Sequence, residues 1–214
     1  MASATSPELR PPWRAFLAEV DRLLPRRVQL HCLGGFVVAV RYGLPRPTSD
    51  IDYVEIIPHD AIEVLQRIAG RESQLAQKHR LYFQHVGVAS LPEAYVERLT
   101  ALFPTHFEKL RLLEVEAHDL ALSKLVRNHP VDREDVAYLA KVVPLDPVLL
   151  RTRYQRELRP IIIGDPETHD RTLAMWIESY FPAAGVAERA SGTRAIGRRG
   201  GRRRRRTRPC SPRK

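Results

Sequence analysis

Cysteine is nearly absent from this chain. Its two copies, Cys32 and Cys210, are too few for a disulfide framework or a four-ligand zinc site. That scarcity makes a reduced, cytoplasmic setting the expectation. No apolar run approaches the ~20 residues needed to cross a bilayer, so no membrane association is expected. The N-terminus lacks the apolar core of a secretory leader. His31, His79 and His85 are scattered without metal-ligand spacing. Ser49 has no evident histidine and aspartate partners for a hydrolase triad. Internal repeats are also missing.

Positive charge is plentiful but unevenly spread. The 214 residues carry 35 Lys or Arg against 25 Asp or Glu, a formal charge of +10. Twelve of those bases and one acid, Glu188, fall between 183 and 214, leaving 23 bases against 24 acids elsewhere. The body is therefore near neutral, and the basicity belongs to the C-terminal stretch. That stretch has almost no large apolar residue and is expected to be a disordered, arginine-rich tail. It reads either as a nonspecific phosphate-binding arm or as a solvated extension. The remaining 1–182 is expected to form one domain, with its core at about 28–140 and a helical extension over 141–182.

The apolar pattern orders the elements. Trp13, Phe16, Leu17, Val20, Leu23 and Leu24 have helical spacing. Residues 28–33 read as a strand, interrupted by Gly34-Gly35. Residues 36–42 have strand propensity but lie between two buried-strand candidates. Parallel neighbours need a crossover, which predicts a helix there. Residues 48–57 read as a buried strand. Asp60 is placed to cap a helix over 61–69. A short helix at 75–80, a strand at 81–88 and a third core strand at 109–115 follow. Helices are then expected at about 117–127, 132–141, 147–158 and 167–181, separated by Pro130, Pro144 and Pro160. Trp13 and Trp176 are expected to anchor helices in the core. Mixed elements followed by helices predict an α/β fold with a helical C-terminal region.

Asp50 and Asp52 are the most informative residues. Strand alternation puts residues two apart on one face. Two carboxylates roughly 5 Å apart repel by about 3 kcal/mol at an effective dielectric near 20. A hard divalent cation removes that cost. Upstream, Gly34-Gly35 follows a strand and opens a helix, where free N–H groups favour phosphate. A phosphate cradle beside a cation site is what phosphoryl or nucleotidyl transfer requires. On a helix from 117, Leu120, Lys124 and Arg127 would share a face, and the two cations could neutralise a triphosphate.

Acidic neighbours have plainer alternatives. Asp132 follows His129-Pro130-Val131 and reads as a structural cap. Asp135 could equally orient Lys124 or Arg127 as an ion pair. Glu114 and Glu116 share a face at the end of the 109–115 strand and are candidates for a third metal carboxylate, or for surface positions. His118-Asp119 resembles the dyad of metal-dependent phosphohydrolases but lacks its other ligands, so Asp119 is expected to serve the helix start.

These motifs carry a resemblance. Leu33-Gly34-Gly35, then Arg46-Pro47-Thr48-Ser49-Asp50-Ile51-Asp52, resembles the signature of the nucleotidyltransferase (polymerase-beta-like) superfamily. Asp119 to Leu125, Arg127 and Asp132-Arg133-Glu134-Asp135 are similar to its AbiEii/MenT-type toxin branch, with the likeness running over about 28–140. The resemblance implies an α/β nucleotidyltransferase-like mixed sheet flanked by helices. It implies that Asp50 and Asp52 bind magnesium and that Lys124 acts with them. Gly34, Gly35, Ser49 and Arg127 would contact the nucleoside triphosphate, with Asp135 and Glu114 as further candidates. It implies nucleotidyl transfer to an unknown acceptor, RNA or protein, by an enzyme that can be paired with an antitoxin. The alternative is a catalytically degenerate nucleotide- or RNA-binding protein of the same fold.

Overall fold

The computed structural model describes residues 9–181. The arginine-rich stretch 183–214 and Cys210 lie outside them.

Five strands form one mixed sheet: β1 (Val28–Cys32), β2 (Asp50–Ile57), β3 (Tyr82–His85), β4 (Thr100–Leu102) and β5 (Leu110–Glu114). Their spatial order is β3-β2-β1-β5-β4. β1 pairs parallel with β5 and antiparallel with β2, while β2 pairs parallel with β3 and β4 antiparallel with β5. The α/β architecture with a helical C-terminal part is the one the sequence predicts.

The helices are α1 (Trp13–Leu23), α2 (Gly34–Tyr42), α3 (Ile62–Ala69), α4 (Gln74–His79), α5 (Ala117–Leu122), α6 (Pro130–Val142), α7 (Pro147–Arg153) and α8 (Pro166–Tyr180). A π-helical turn, Tyr154–Leu158, continues α7. No described helix is long and apolar enough to cross a membrane.

A helix does stand between the first two strands, but not as a parallel crossover. β1 and β2 are antiparallel, so α2 is an insertion. Gly43 closes α2 in the left-handed region at φ 77°, and its N–H bonds back to Ala39. That C-cap reverses the chain, and the loop after it feeds β2 at the end where β1 stops.

Three further expectations change. Asp60 caps nothing with its side chain; a 3-10 turn (His59–Ala61) starts this region, and Asp60 pairs with Arg26 at 2.5 Å. The 117–127 helix stops at Leu122. Lys124 and Leu125 N–H groups bond three residues back, to Ala121 and Leu122, so the chain tightens into turns. The three-residue strand β4 escapes sequence reading.

The core is apolar and aromatic. Ile51, Tyr53 and Phe83 are fully buried. Phe16 of α1 lies 5.7 Å from Phe83, ring centre to ring centre, and Gln66 of α3 donates to the Tyr53 hydroxyl at 3.1 Å. Trp176 is buried and Trp13 meets Phe36 edge-on at 6.1 Å. Alternation along β2 thus sends one set of side chains into this core. It leaves Asp50 and Asp52, which stay half-buried, on the other set.

Candidate active site

β1 ends where β2 begins, and that shared end of the sheet builds the site. The Leu33 N–H bonds to the Asp52 carbonyl at 3.1 Å, tying the diglycine turn to the acidic strand. Gly34 adopts φ +75°, and a Cβ there would stand 2.4 Å from Asp52 Oδ2. Only glycine permits both this conformation and this contact. α2 has no side-chain cap at its N-terminus, so its first N–H groups are left to other partners.

Asp50 and Asp52 differ in their surroundings. Thr48 Oγ1 donates to Asp50 Oδ1 at 2.5 Å. Asp52 Oδ1 is buried and has no hydrogen-bond partner. Burial, and then the charge of Asp50, push the Asp52 carboxyl up to about 6, against the pull of Lys124 and Arg127. A carboxyl in that condition takes up a proton or pairs with a positive charge. Asp50 and Asp52 are the residues with the donor chemistry to hold a hard cation. Among the described residues no set of three His, Cys, Asp or Glu is arranged to hold a metal. Two carboxylates suit an ion of the magnesium type, which completes its shell from phosphate and water.

Lys124 reaches the site from a turn, not from a helix face. Ser123 Oγ donates to the Leu120 carbonyl at the end of α5. Asn128, at φ 47°, bonds through its N–H to Lys124 O. His129 and Pro130 then open α6. The Lys124 side chain is only 5% exposed and donates to Asp135 Oδ2 at 2.7 Å. Asp135 Oδ1 accepts from Arg46 Nη2 at 2.8 Å. Asp132 accepts from Arg127 Nε at 2.8 Å and from the His129 N–H at 3.0 Å. It is thus the N3 member of a capping box, with His129 as the N-cap. Burial works against the charged form of Asp132. Arg127's hydrogen bonds, the Lys124 charge and the His129 N–H outweigh it and hold the carboxyl below its ordinary value.

A cleft of about 230 Å³ joins these parts. Leu33, Gly34, Asp52, Ser123, Lys124 and Arg127 line it. Asp52, Gly34, Lys124 and Arg127 therefore converge on it; Asp50 adjoins Asp52 and Gly35 adjoins Gly34 without lining it, and Asp135 stands behind Lys124. Ser49 is different: its side chain is exposed, and its carbonyl accepts from Tyr82 N–H. Thr48 makes the hydrogen bond to Asp50.

Sequence reasoning missed Arg46 and Thr48 as site residues. A Cβ on Gly35 would meet Arg46 Nη2 and Thr48 Oγ1 at 3.4 Å each, so both flank the glycine turn. Arg46 Nε is buried without a partner. The available signal was their place just ahead of Asp50.

The candidates for a third carboxylate go elsewhere. Glu114 is buried at the end of β5, where Arg41 Nε approaches its Oε1 at 3.1 Å. Burial raises its carboxyl to about 7, and Arg41 only partly offsets this. Glu116 lies past the strand and caps α5 by accepting from the His118 N–H; it also pairs with Arg153. The two glutamates thus do not share a strand face. Asp119 does not cap the helix either. It is fully buried and holds Arg98 at 2.7 Å and Arg153 at 2.8 Å.

Neither a curated protein nor a solved structure matches the chain. Residues 15–178 match the profile of a family described as nucleotidyltransferase of unknown function (DUF6036), a span that takes in the glycine turn, the acidic strand and the Lys124 turn. By that match over most of its length, the protein belongs to this nucleotidyltransferase family.

Proposed function

We propose that this protein moves a nucleotidyl group from a nucleoside triphosphate to an acceptor hydroxyl, with magnesium held by Asp50 and Asp52. The observation that carries this reading is the convergence of Asp52, Gly34, Lys124 and Arg127 on one cleft. Family membership supports the reaction class. Support for the metal comes from the buried, unpartnered oxygen of Asp52 beside a second carboxylate.

Each side chain has a part. Asp50, oriented by Thr48, and Asp52, braced by Gly34, would hold the ion. When bound, magnesium supplies charge neutralisation on the phosphates and lowers the pKa of a coordinated hydroxyl. The N–H groups at the Gly34-Gly35 turn donate to phosphate oxygens. The acceptor oxygen forms a bond to the α-phosphorus as the bond to the bridging oxygen breaks. Pyrophosphate departs, and the hydroxyl proton passes to water. Lys124, Arg46 and Arg127 offset the charge that develops on the leaving group. Asp135 and Asp132 keep those cations in place before substrate arrives.

Incubation with α-phosphate-labelled nucleoside triphosphates, magnesium and cell extract tests this reading. Label should enter a macromolecule with the wild-type protein and fail to do so with Asp50→Ala or Asp52→Ala. Equal labelling by both variants would refute the assignment. Triphosphate binding without turnover would favour the non-catalytic reading, which the lack of a third ligating carboxylate among the described residues supports.

The finer reading is a toxin of the AbiEii/MenT type, acting on RNA or protein in the cytoplasm and restrained by an antitoxin. The likeness of the Lys124 and Asp135 motifs supports it. Expression of the chain alone should then arrest bacterial growth, and Asp52→Ala should relieve the arrest; unimpeded growth would refute it.

A further inference from the structure

We propose that Tyr82, Gln84 and Arg71 form the acceptor side of this site, and that the acceptor is the end of a single-stranded nucleic acid. This rests on the nucleotidyl-transfer reading above.

Strand register brings the three residues to the carboxylates. β2 and β3 pair so that Tyr82 lies beside Asp50 and Gln84 beside Asp52. Paired residues on adjacent strands share a face, so all four side chains leave the sheet together. The field of Asp50 and of Asp52 reaches the Tyr82 hydroxyl and, after burial, adds to its raised pKa. Arg71, on the turn between α3 and α4, arches over this pair. Its Nη2 donates to the Tyr82 hydroxyl at 2.5 Å and to Gln84 Oε1 at 3.4 Å. Its guanidinium carbon stands 4.6 Å from the Tyr82 ring centre. Arg71 is exposed, and Tyr82 and Gln84 are half-buried.

Sheet order gives the trio its role. β1 and β5, which lead to Gly34 and Lys124, lie on one side of β2; β3 lies on the other and ends the sheet. Displacement at phosphorus puts the attacking and departing oxygens roughly in line. With the leaving group drawn toward Lys124 and Arg127, the attacking hydroxyl approaches over β3. A guanidinium stacked on a ring offers a flat platform for a base and a charge for a phosphate, and the Gln84 amide can read a base edge. The open β3 edge is where an extended peptide would add as a strand, and label entering protein would mark that outcome.

The test uses the full chain, α-phosphate-labelled nucleoside triphosphates with magnesium, and two separate probes: total small RNA and total protein from a cell extract. The wild type should label RNA. Arg71→Ala and Tyr82→Ala should raise the KM for RNA by about tenfold, as loss of a stacking contact does. Both, measured below their own melting temperatures, should keep the magnesium-dependent Kd for the triphosphate. Tyr82→Phe, which keeps the ring, should recover most of the loss. Label entering protein instead, or RNA labelled equally by both alanine variants, overturns the acceptor assignment while leaving nucleotidyl transfer intact. Label in neither fraction overturns both.

Discussion

Gly34 and Asp52 leave no room for a side chain between them: a Cβ on Gly34 would stand 2.4 Å from Asp52 Oδ2. The glycine turn and the acidic strand are therefore one device. Gly34→Ala must either shift the carboxylate or distort the turn, which is already at φ +75°. The expected cost is about 2 kcal/mol in urea unfolding, with loss of magnesium-dependent triphosphate binding. In an Asp52→Ala background the same substitution should cost less, because the 2.4 Å clash with Oδ2 is removed and only the Cβ contact at 3.2 Å remains. Additive costs in that double-mutant cycle would contradict the contact.

Asp135 is the hinge of the cationic wall, with Lys124 on one oxygen and Arg46 on the other. Asp135→Ala leaves Lys124 buried with only the longer contact to Asp132 Oδ1, at 3.6 Å. Breaking a buried ion pair from one side costs roughly 3–5 kcal/mol. Asp135→Asn keeps the shape and one acceptor, so it should unfold at a urea concentration between those of Asp135→Ala and the wild type.

Asp119 offers a control whose side chain pairs with Arg98 and Arg153, neither of which lines the cleft. It is fully buried, and Arg98 and Arg153 both end on it. Arg98 also holds Glu157 in the turn after α7, so this network fastens the C-terminal helices to α5. Asp119→Ala should lose roughly 3–5 kcal/mol of stability. Below its new melting temperature it should bind triphosphate with the wild-type Kd. A changed Kd in folded protein would contradict this division of roles.

Glu114 sets a dependence of stability on pH. Its carboxyl stands at about 7 in the fold against an ordinary value of 4.5, chiefly through burial. The folded state therefore binds the extra proton, and Glu114 costs stability as pH rises from 4.5 to 7. The full difference is about 3 kcal/mol above that window and vanishes below it. Glu114→Gln should be more stable than the wild type at pH 8 and equal to it near pH 4. A gain of the same size at both pH values would contradict this origin.

Some of this was legible in the chain and some was not. Alternation has a period of two, so the shared face of Asp50 and Asp52 could be read from spacing alone. The α2 helix was foreseen by a rule about parallel strands that this sheet does not obey. Lys124 was assigned to the cleft on helix geometry, yet Ser123 and Asn128 end the helix and a turn delivers it instead. Its partnership with Asp135 could be named because both lie in one short stretch. Arg46 could not be paired with Asp135, because 89 residues separate them and only the packing of α6 brings them together. Glu114 reads as a candidate metal ligand in the sequence because nothing there announces Arg41 beside it.

The central claim is that the carboxylate pair, the glycine turn and the Lys124 turn act as one magnesium-dependent nucleotide site. Calorimetric titration of the purified full chain with a non-hydrolysable nucleoside triphosphate, with and without magnesium, addresses it most directly. Binding should require magnesium in the wild type and weaken at least about tenfold in Asp52→Asn and in Lys124→Ala. Equal affinity without the ion, or in both variants, would contradict the account.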